Sequence, residues 1–483
     1  MRNLSTLAWR VYDAPTKPWH GVVADTEGDD SVYVMRVERR DGVSQLTLAH
    51  ITPTGTEELA VLEVASAPPH VPDVADFRLL ADGGSSVNHM PAICVIGSGG
   101  DIVLMPVDEE ASAPAEVVGS VDQGILAAAW SPEEDVLVLI TGGEKRLIVM
   151  TREFEVMSET MLSTEAFGDD QPVNVGWGSK STQFHGSEGK QAAMAAANAP
   201  EESDPRGPLV PEDDGLPRIS WRGDGAFFVT SSAEASHDTV HRILRTYTRT
   251  GTLSATSDRS VRGISHVLAC RPTGNLIATT QRMGGPWAPG RHGRHDVVFF
   301  ERNGLRHGEF SLREEHGSVP DVPGVSAEPL PPWSCEHQIR LVSWNADGSV
   351  LAVVLQRAGL HVLQLWTSGN YHWYLKHEST YEHLHAMTWH PEQPLTWYVS
   401  HARVEKRTMC LETACSRGMP PHDAACASVV DGHMLYLTPF RLQNVPPPMC
   451  AVAIVDTPQH TVPHVPPATP VHVAWTTQSV EDQ

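Results

Sequence analysis

Four residues near the C-terminal end of the chain are chemically able to bind a metal ion. Cys410, Cys415, His422 and Cys426 form a C-x4-C-x6-H-x3-C array, and thiolate and imidazole groups are ligands that zinc prefers. Structural zinc sites usually separate the first pair by two to four residues and repeat that spacing, so this match is loose. Unpaired thiols in a surface loop are the alternative, and no cofactor is predicted.

Histidine is the second residue type that could support catalysis, since the chain contains 25 of them. None occurs in the carboxylate-and-histidine spacing of a zinc hydrolase. Solvated loop positions are the alternative interpretation for most of them. The candidate histidines are His292, His295, His307 and His337, together with a cluster of five: His372, His377, His383, His385 and His390.

A block rich in glycine and polar side chains, VGWGSKSTQFHGSEGK, covers residues 175–190. It is not a phosphate-binding loop, because Ser179 separates Gly178 from Lys180 and Val173 stands where another glycine is needed. An elaborate turn without function and a protein-binding loop remain open. The residues of the protein-binding hypothesis are Gly176, Trp177, Gly178, Lys180, Gln183, Phe184, His185, Gly186, Gly189 and Lys190.

Composition limits the classes of partner. The 483 residues carry a formal net charge of −24, which disfavours a sequence-independent grip on nucleic acid. No apolar run is long enough to cross a membrane, and the N-terminus lacks the apolar core of a signal peptide. Seven scattered cysteines fit a reducing compartment. These features predict a cytoplasmic protein, with the nucleus as a second possible location.

One short pattern recurs along the chain: an apolar strand, a large anchor residue, a polar turn and a second strand. The anchors are Trp130, Trp221, Cys270, Trp344 and Trp389. The shorter steps between them match the roughly 40–45 residues of a WD-type blade, and the longer steps need an insertion or a blade without tryptophan. The pattern predicts an all-β fold of the β-propeller type, with a β-sandwich as the alternative. Arg222-Gly223-Asp224 follows one anchor and is predicted to be a blade turn rather than a cell-adhesion motif.

Two segments interrupt this pattern. Residues 191–215 are Ala-rich, then acidic and Pro-rich, and are predicted to be an inserted mobile loop. Its acidic part, 201–214, could dock a basic partner or mimic nucleic acid. The stretch from 446 to 483 is predicted to be a Pro-rich irregular tail with scattered strand fragments, Ala451 to Val455 among them.

Several long strings resemble one known family. They include MRNL at the start, GWGSKSTQFHGSEGK (176–190), SWRGDGAFFVTSS (220–232), VVFFERNGLRHGEFSL (297–312) and LQLWTSGNYHWYLK (363–376). They look like the N-terminal region of the largest, scaffold subunit of the Elongator complex. The similarity runs from Met1 to about Val455.

The resemblance implies a pair of WD-type propellers and a non-catalytic role. In this family the scaffold positions a catalytic radical subunit and a second propeller subunit, the complex modifies tRNA wobble uridines at carbon 5, and the scaffold pairs with itself. For this chain we expect contact with tRNA to be indirect only, and self-pairing to depend on parts of the family's chain that are missing here. The alternative is a propeller-type hydrolase or lyase with a histidine-based site at the channel mouth.

The same analogy predicts the domain boundaries. Residues 1–376 should form a first propeller of seven blades, and 377–445 the first blades of an incomplete second propeller, followed by the tail. The short second unit favours a fragment or a shortened gene product.

Overall fold

Every secondary-structure element that the computed structural model describes is a β-strand. The described residues are 2–12, 17–26, 28, 30–81, 91–107, 115–163, 166, 168, 207–236, 239–257, 261–285, 287, 294–312, 338–357, 359–369, 371–419, 423–442 and 451–456. The strands form eight antiparallel sheets of four strands each.

The first four sheets follow the order of the chain. Sheet 1 contains β2 (Gly21–Ala24), β3 (Val32–Arg40), β4 (Val43–Thr52) and β5 (Gly55–Ala65). Sheet 2 contains β6 (Val74–Leu80), β7 (Ala92–Gly97), β8 (Asp101–Pro106) and β9 (Glu116–Ser120). Sheet 3 contains β10 (Ile125–Trp130), β11 (Val136–Thr141), β12 (Arg146–Thr151) and β13 (Val156–Met161). Sheet 4 contains β14 (Arg218–Trp221), β15 (Phe227–Ser236), β16 (Thr239–Thr248) and β17 (Leu253–Thr256).

The remaining sheets include the one that joins the two ends of the ring. Sheet 5 contains β18 (Ala269–Cys270), β19 (Ile277–Arg282), β20 (His295–Phe300) and β21 (Arg306–Ser311). Sheet 6 contains β22 (Gln338–Trp344), β23 (Leu351–Arg357), β24 (Leu360–Gly369) and β25 (His372–Tyr381). Sheet 7 contains β26 (Ala386–Trp389), β27 (Thr396–Ser400), β28 (Val404–Glu412) and, as its outer strand, β1 (Asn3–Tyr12). Sheet 8 contains β29 (Ala414–Cys415), β30 (Cys426–Asp431), β31 (Met434–Pro439) and β32 (Ala453–Asp456).

The apolar core shows that sheets 1 to 7 form a closed ring. Of its eight clusters, one joins Tyr374 of sheet 6 to Val429, Met434 and Tyr436 of sheet 8. Each of the other seven lies between two consecutive sheets, including one between sheet 7 and sheet 1. In that closing cluster Tyr398 and Val404 of sheet 7 are buried with Val22 and Val34 of sheet 1. Each sheet is therefore covered on both faces, which is the property of a propeller blade. The predicted all-β, seven-bladed propeller is confirmed.

The predicted anchor residues end the inner strands and link neighbouring blades. Trp221 Nε1 donates a hydrogen bond to the carbonyl of Ala129 at 3.2 Å, and Trp389 Nε1 donates to the carbonyl of Ser343 at 3.3 Å. Each acceptor immediately precedes the anchor of the preceding blade, Trp130 or Trp344. An indole suits this position because it buries a large apolar surface and still donates one hydrogen bond.

The boundary between the two propellers differs from the prediction at Lys376. Sheet 7 lies beyond that residue and completes the first ring, which ends with β28 at Glu412. The family analogy did not anticipate that β1 supplies the fourth strand of this sheet. Sheet 8 alone follows among the described residues, so 377–445 does not hold several blades of a second unit. Its last strand, β32, lies within the predicted irregular tail.

The long steps between anchors contain no extra blade among the described residues. Trp130 and Trp221 belong to consecutive sheets, as do Cys270 and Trp344, so the added residues lie in the connections 162–217 and 312–337. Arg222-Gly223-Asp224 forms the turn between β14 and β15, where the Gly225 amide donates to the Arg222 carbonyl at 2.9 Å.

No helix of the length and apolar character needed to span a membrane occurs in the described part of the chain.

Sheet 8 is held against the ring by a buried polar cluster at the start of β1. Asn3 donates to the Ser428 carbonyl and accepts from the Val430 amide, both at 2.9 Å. The Lys376 ammonium donates to the Val430 carbonyl at 2.8 Å and to Asn3 Oδ1 at 3.3 Å. Burial lowers the pKa of Lys376 to about 7, despite the attraction of the Asp431 carboxylate.

We predict that Asn3→Ala loosens sheet 8 while the ring stays closed. The substitution leaves the Val430 amide and the Lys376 ammonium without their side-chain partner, a loss of about 1–3 kcal/mol. Hydrogen exchange should therefore accelerate at Val430 and its neighbours in β30. Asn303→Ala is the matched control, because Asn303 accepts only from the nearby Leu305 amide in a hairpin turn. Equal exchange in the two variants would contradict the prediction.

Candidate functional site

The longest connections of the ring begin and end on one face, here called the loop face. Antiparallel strands alternate in direction, so the hairpin between the second and third strands of a blade lies at the same end as the connection to the next blade. The connections 162–217 and 312–337 and the hairpin 283–294 therefore begin and end on the loop face. Surface connections of this kind commonly carry binding function on a rigid scaffold.

A buried ion pair fixes the end of the connection between blades 3 and 4. Asp213 and Arg242 of β16 both have side chains that are 0% exposed. Arg242 Nε donates to Asp213 Oδ2 at 2.6 Å, and another nitrogen of the guanidinium donates to Asp213 Oδ1. The third nitrogen donates to the Leu216 carbonyl at 3.0 Å. The carboxylate is thus bound bidentately, the geometry that makes arginine pairs strong and directional.

Glu212, the preceding residue, is held by blade 5. Its Oε2 accepts from Arg282 at 2.7 Å, and its Oε1 lies 2.9 Å from His295 Nε2. Burial raises the pKa of Glu212, but the hydrogen bond from His295 and the charges of His295 and Arg282 outweigh it and hold the pKa below its usual value. Trp287 packs against the Arg282 guanidinium and donates to the Leu209 carbonyl at 3.2 Å.

The other end of the same connection is also fixed to blade 4. Arg245 is 2% exposed; it pairs with Glu234 and donates to the Leu162 carbonyl at 3.1 Å. Ser163 Oγ donates to Glu234 Oε2 at 3.3 Å. The chain thus leaves blade 3 beside Glu234 and returns beside Arg242, so both ends are anchored on one blade.

These contacts correct two predictions about the inserted loop. Residues 207–215 are not a mobile loop, because Val210 is buried and Asp213 is fully enclosed. The carboxylates of Glu212 and Asp213 are neutralised by arginines of the same chain, so they cannot serve as a surface for a basic partner. Residues 191–206 lie outside the described residues, as does the whole proposed interaction block from Gly176 to Lys190, which stays a prediction.

The cysteine array is divided between two sheets. Cys410 lies in β28 of blade 7, and its thiol donates toward the Ser5 carbonyl. Cys415 and Cys426 lie in β29 and β30 of sheet 8, and His422 lies outside the described residues. Burial raises the pKa of both Cys410 and Cys426, which opposes formation of the thiolate that binds zinc. The zinc hypothesis has no geometric support from the three described thiols.

A different set of three residues has the closest approach of potential metal ligands in the described part of the chain: Asp213, Asp214 and His266. Arg242 occupies both oxygens of Asp213, and Arg218 pairs with Asp214. Burial lowers the pKa of His266 to about 4, so the ring is neutral. Two guanidinium groups already neutralise the two carboxylates, which disfavours a cation here.

Five histidines from blades 6, 7 and 1 meet on the loop face, and the sequence pattern identified only His383 and His385 of them. The ring of His385 lies 5.6 Å from that of His20 and 6.5 Å from that of His383. His361 is 6.2 Å from His383, and His401 pairs with Glu405 at 2.9 Å. No signal in the sequence separates His20, His361 and His401 from the other histidines. His20, for example, lies next to His385 only because the ring closes.

The hydrogen bonds of two rings in this cluster, His20 and His361, disfavour metal binding and base catalysis by those residues. Nδ1 of His361 accepts from the Leu384 amide at 2.6 Å, and Nδ1 of His20 accepts from the Val37 amide at 3.1 Å. A backbone N–H only donates, so each ring is neutral with its proton on Nε2. Neither ring then has a lone pair left for a metal or a substrate proton.

The other predicted histidines lie elsewhere. His377 is buried between blades 6 and 7, with Nε2 2.6 Å from Ser379 Oγ. His372 contacts Asp431 at the junction with sheet 8, and Nδ1 of His390 accepts amides in a blade turn. His295 binds Glu212, and His307 pairs with Glu301 at the surface. His292 and His337 lie outside the described residues.

We predict that Asp213→Asn strongly destabilises the ring. The substitution removes the bidentate partner of the enclosed Arg242 guanidinium and leaves Asp214 Oδ1, at 4.0 Å, as its remaining carboxylate; breaking a buried pair in this way costs about 3–5 kcal/mol. Asp214→Asn is a matched control in the same segment, because its pair with Arg218 is about one-third exposed and contributes at most about 1 kcal/mol. Thermal unfolding midpoints measure the difference, and a similar fall in both variants would argue against the anchor.

We also predict an acid-sensitive contribution from His377. Burial and then the charge of Arg407 lower its pKa from 6.5 to about 4. Between these two pKa values the unfolded state therefore binds more protons at this residue than the folded state does. Acidification from pH 7.5 to 5 then removes about 2 kcal/mol from the free energy of unfolding through His377.

His377→Gln should lose less of its thermal midpoint over this pH range than the unmodified chain. His307→Gln, a change at a half-exposed histidine, is the control and should follow the unmodified chain. An identical pH dependence of all three proteins would refute the assignment.

Comparison with known proteins identifies the family. Residues 1–392 match the model of the ELP1 first N-terminal β-propeller, and residues 429–462 match that of the ELP1 N-terminal second β-propeller. Elongator complex protein 1 of Schizosaccharomyces pombe is 35% identical over 362 residues, which cover 74% of this chain and 26% of the relative. The mouse protein of the same name is 33% identical over 482 residues, covering 94% of this chain and 31% of the relative.

The chain thus spans about a third or less of the length of these relatives. Among solved structures, Raptor of Chaetomium thermophilum aligns with a TM-score of 0.48 at 10% identity, over 87% of this chain and 29% of that chain. That likeness is too low to carry a functional argument. The two propeller matches follow the division seen in the structure, with a ring closed by β1 and a separate sheet 8. The chain belongs to the Elongator complex protein 1 family.

Proposed function

We propose that this chain is the N-terminal propeller region of a non-catalytic Elongator scaffold subunit. In this role it supports modification of tRNA wobble uridines at carbon 5 by holding the catalytic radical subunit and the second propeller subunit. The observation that carries the proposal is the family match over residues 1–392, which covers every strand of the closed ring except β27 and β28.

Several polar side chains of the loop face are already bound by groups of the same chain, which supports a binding role over a catalytic one. The acids of the loop face, Glu212 and Asp213, are bound by arginines of the same chain. His20 and His361 have their Nδ1 atoms occupied by backbone amides. A hydrolase or lyase with a histidine base at the channel mouth, the alternative function, would need a nitrogen that is available to a substrate.

The charge of the chain supports protein partners over nucleic acid. A net charge of −24 repels the phosphate backbone of tRNA, so we propose that tRNA contact belongs to other parts of the complex. We expect homodimerisation of the full-length family and do not propose it for this chain alone. A cytoplasmic site of action, with the nucleus in addition, follows from the same proposal.

Reconstitution with purified Elongator core subunits tests the proposal. The chain should co-elute with them on size exclusion and should have no turnover alone.

We predict that replacing Trp177, Phe184 and His185 together by Ala weakens this assembly by about tenfold or more, because aromatic anchors dominate interface energies.

A matched control is Tyr371→Ala, which removes a fully exposed aromatic ring from a hairpin of blade 6. Thermal unfolding should be unchanged in both variants. A folded chain that recovers none of the core subunits would overturn the proposed function. Unaltered assembly of the triple variant would instead reject the block from Gly176 to Lys190 as the docking site.

A further inference from the structure

The outer strand of blade 7, β1, presents an apolar surface, here called the Trp9 patch and made of Leu7, Trp9 and Val11. Their exposed fractions are 69%, 60% and 37%. Trp9 is the one exposed aromatic residue that lies within a strand, among the residues the structure describes. Exposed apolar side chains grouped in this way mark interaction surfaces more often than isolated ones do.

The indole of Trp9 is held in one orientation before any partner binds. Its Nε1 donates to Glu405 Oε2 at 3.2 Å, and the Glu405 carboxylate is nearly buried. The Arg407 guanidinium lies 5.0 Å from the indole centroid of Trp9 and 5.3 Å from that of Trp397. A fixed aromatic ring loses little side-chain entropy on binding, which is typical of residues that dominate an interface.

This stacking belongs to a row of side chains that crosses the whole blade. Register places Trp389 opposite Trp397, Trp397 opposite Arg407, and Arg407 opposite Trp9. The inner end of the row is fixed by the bond from Trp389 to blade 6. The exposed indole is thereby continuous with the core of the ring.

The backbone of β1 adds a second recognition element. In the sheet order, β1 pairs with β28 on one side and with no described strand on the other. A register shift between Thr6 and Ala8 leaves Leu7 outside the regular pairing. An edge strand of this kind can accept another extended segment by main-chain hydrogen bonds.

The charges around the patch specify the chemistry of that segment. No acidic side chain occurs between Arg2 and Tyr12. Arg10 and Lys406 share one carboxylate, that of Asp30, so a positive charge is left over. Strand alternation places Arg10 on the opposite face of β1 from Trp9 and Val11. A second copy of the chain would instead bring another Arg10 and another net charge of −24.

We propose that the edge of β1 and the Trp9 patch bind an extended segment of a partner protein that alternates apolar residues with carboxylates. The apolar residues pack on Trp9 and Val11, and the carboxylates face Arg10. This inference is independent of membership in an Elongator assembly, since it rests only on blade 7 and on Asp30 of blade 1.

The probe is a fluorescein-labelled eight-residue peptide of alternating Leu and Asp, titrated against the full chain and followed by fluorescence anisotropy. Binding should be about tenfold stronger than that of the matching Leu and Lys peptide, and it should weaken with salt. Hydrogen exchange of the amides in 6–11 should slow when the peptide is added.

Three variants locate the contact. Leu7→Ser and Trp9→Ala should each weaken binding by about tenfold, and Arg10→Gln should abolish the preference for the acidic peptide. Leu7→Ser keeps the test valid if Trp9→Ala loosens the ring closure, because the Leu7 side chain is exposed and the residue lies outside the regular pairing of β1 with β28. Val117→Ser is the control, since Val117 is 58% exposed on the outer strand of blade 2.

Three outcomes would overturn the proposal. The first is equal binding of the acidic and basic peptides or no binding of either. The second is equal loss of affinity in Leu7→Ser and Val117→Ser. The third is a dimer in sedimentation velocity that Leu7→Ser dissociates, because the patch would then belong to a second copy of the chain.

Discussion

The pairing of β1 with β28 is the constraint on which the rest of this structure depends. It joins Asn3 to Glu412 and Tyr12 to Val404, across almost the whole described chain. Closing so long a loop has an entropic cost that grows only slowly with length. In return, blade 7 gains its fourth strand, and blades 7 and 1 bury Tyr398 and Val404 against Val22 and Val34. Without this pairing two blades would each expose an apolar face.

The same strand connects the ring to its surroundings at both ends. Asn3 binds sheet 8 through Ser428 and Val430, whereas Trp9 faces solvent above Arg407. Ring closure, the position of the second unit and the Trp9 patch therefore depend on one ten-residue strand. A partner that binds β1 would thereby contact the element that closes the ring.

Buried ion pairs fix the connection between blades 3 and 4 in one placement on the loop face. Arg242 and Asp213 have no exposed side-chain surface, so their pairing contributes less net stability than their number of hydrogen bonds suggests, and breaking it is costly. Such a pair rejects alternative placements of the connection, because any other register leaves a charge unpaired in the interior. The acidic composition of 201–214 was a correct observation, but in its described part the carboxylates of Glu212, Asp213 and Asp214 pair with arginines of the same chain.

The sequence by itself determined the blade pattern, because Trp130, Trp221, Cys270, Trp344 and Trp389 are local signals of strand, anchor and turn. It also determined the family, through long ordered strings. The tertiary structure alone decided where the ring ends, which histidines meet and which acids are neutralised. His20 reaches His385, and Glu212 reaches Arg282 and His295, only after distant segments pair. Contacts between residues far apart in sequence leave no periodicity in either segment, and closure of the ring is what brings them together.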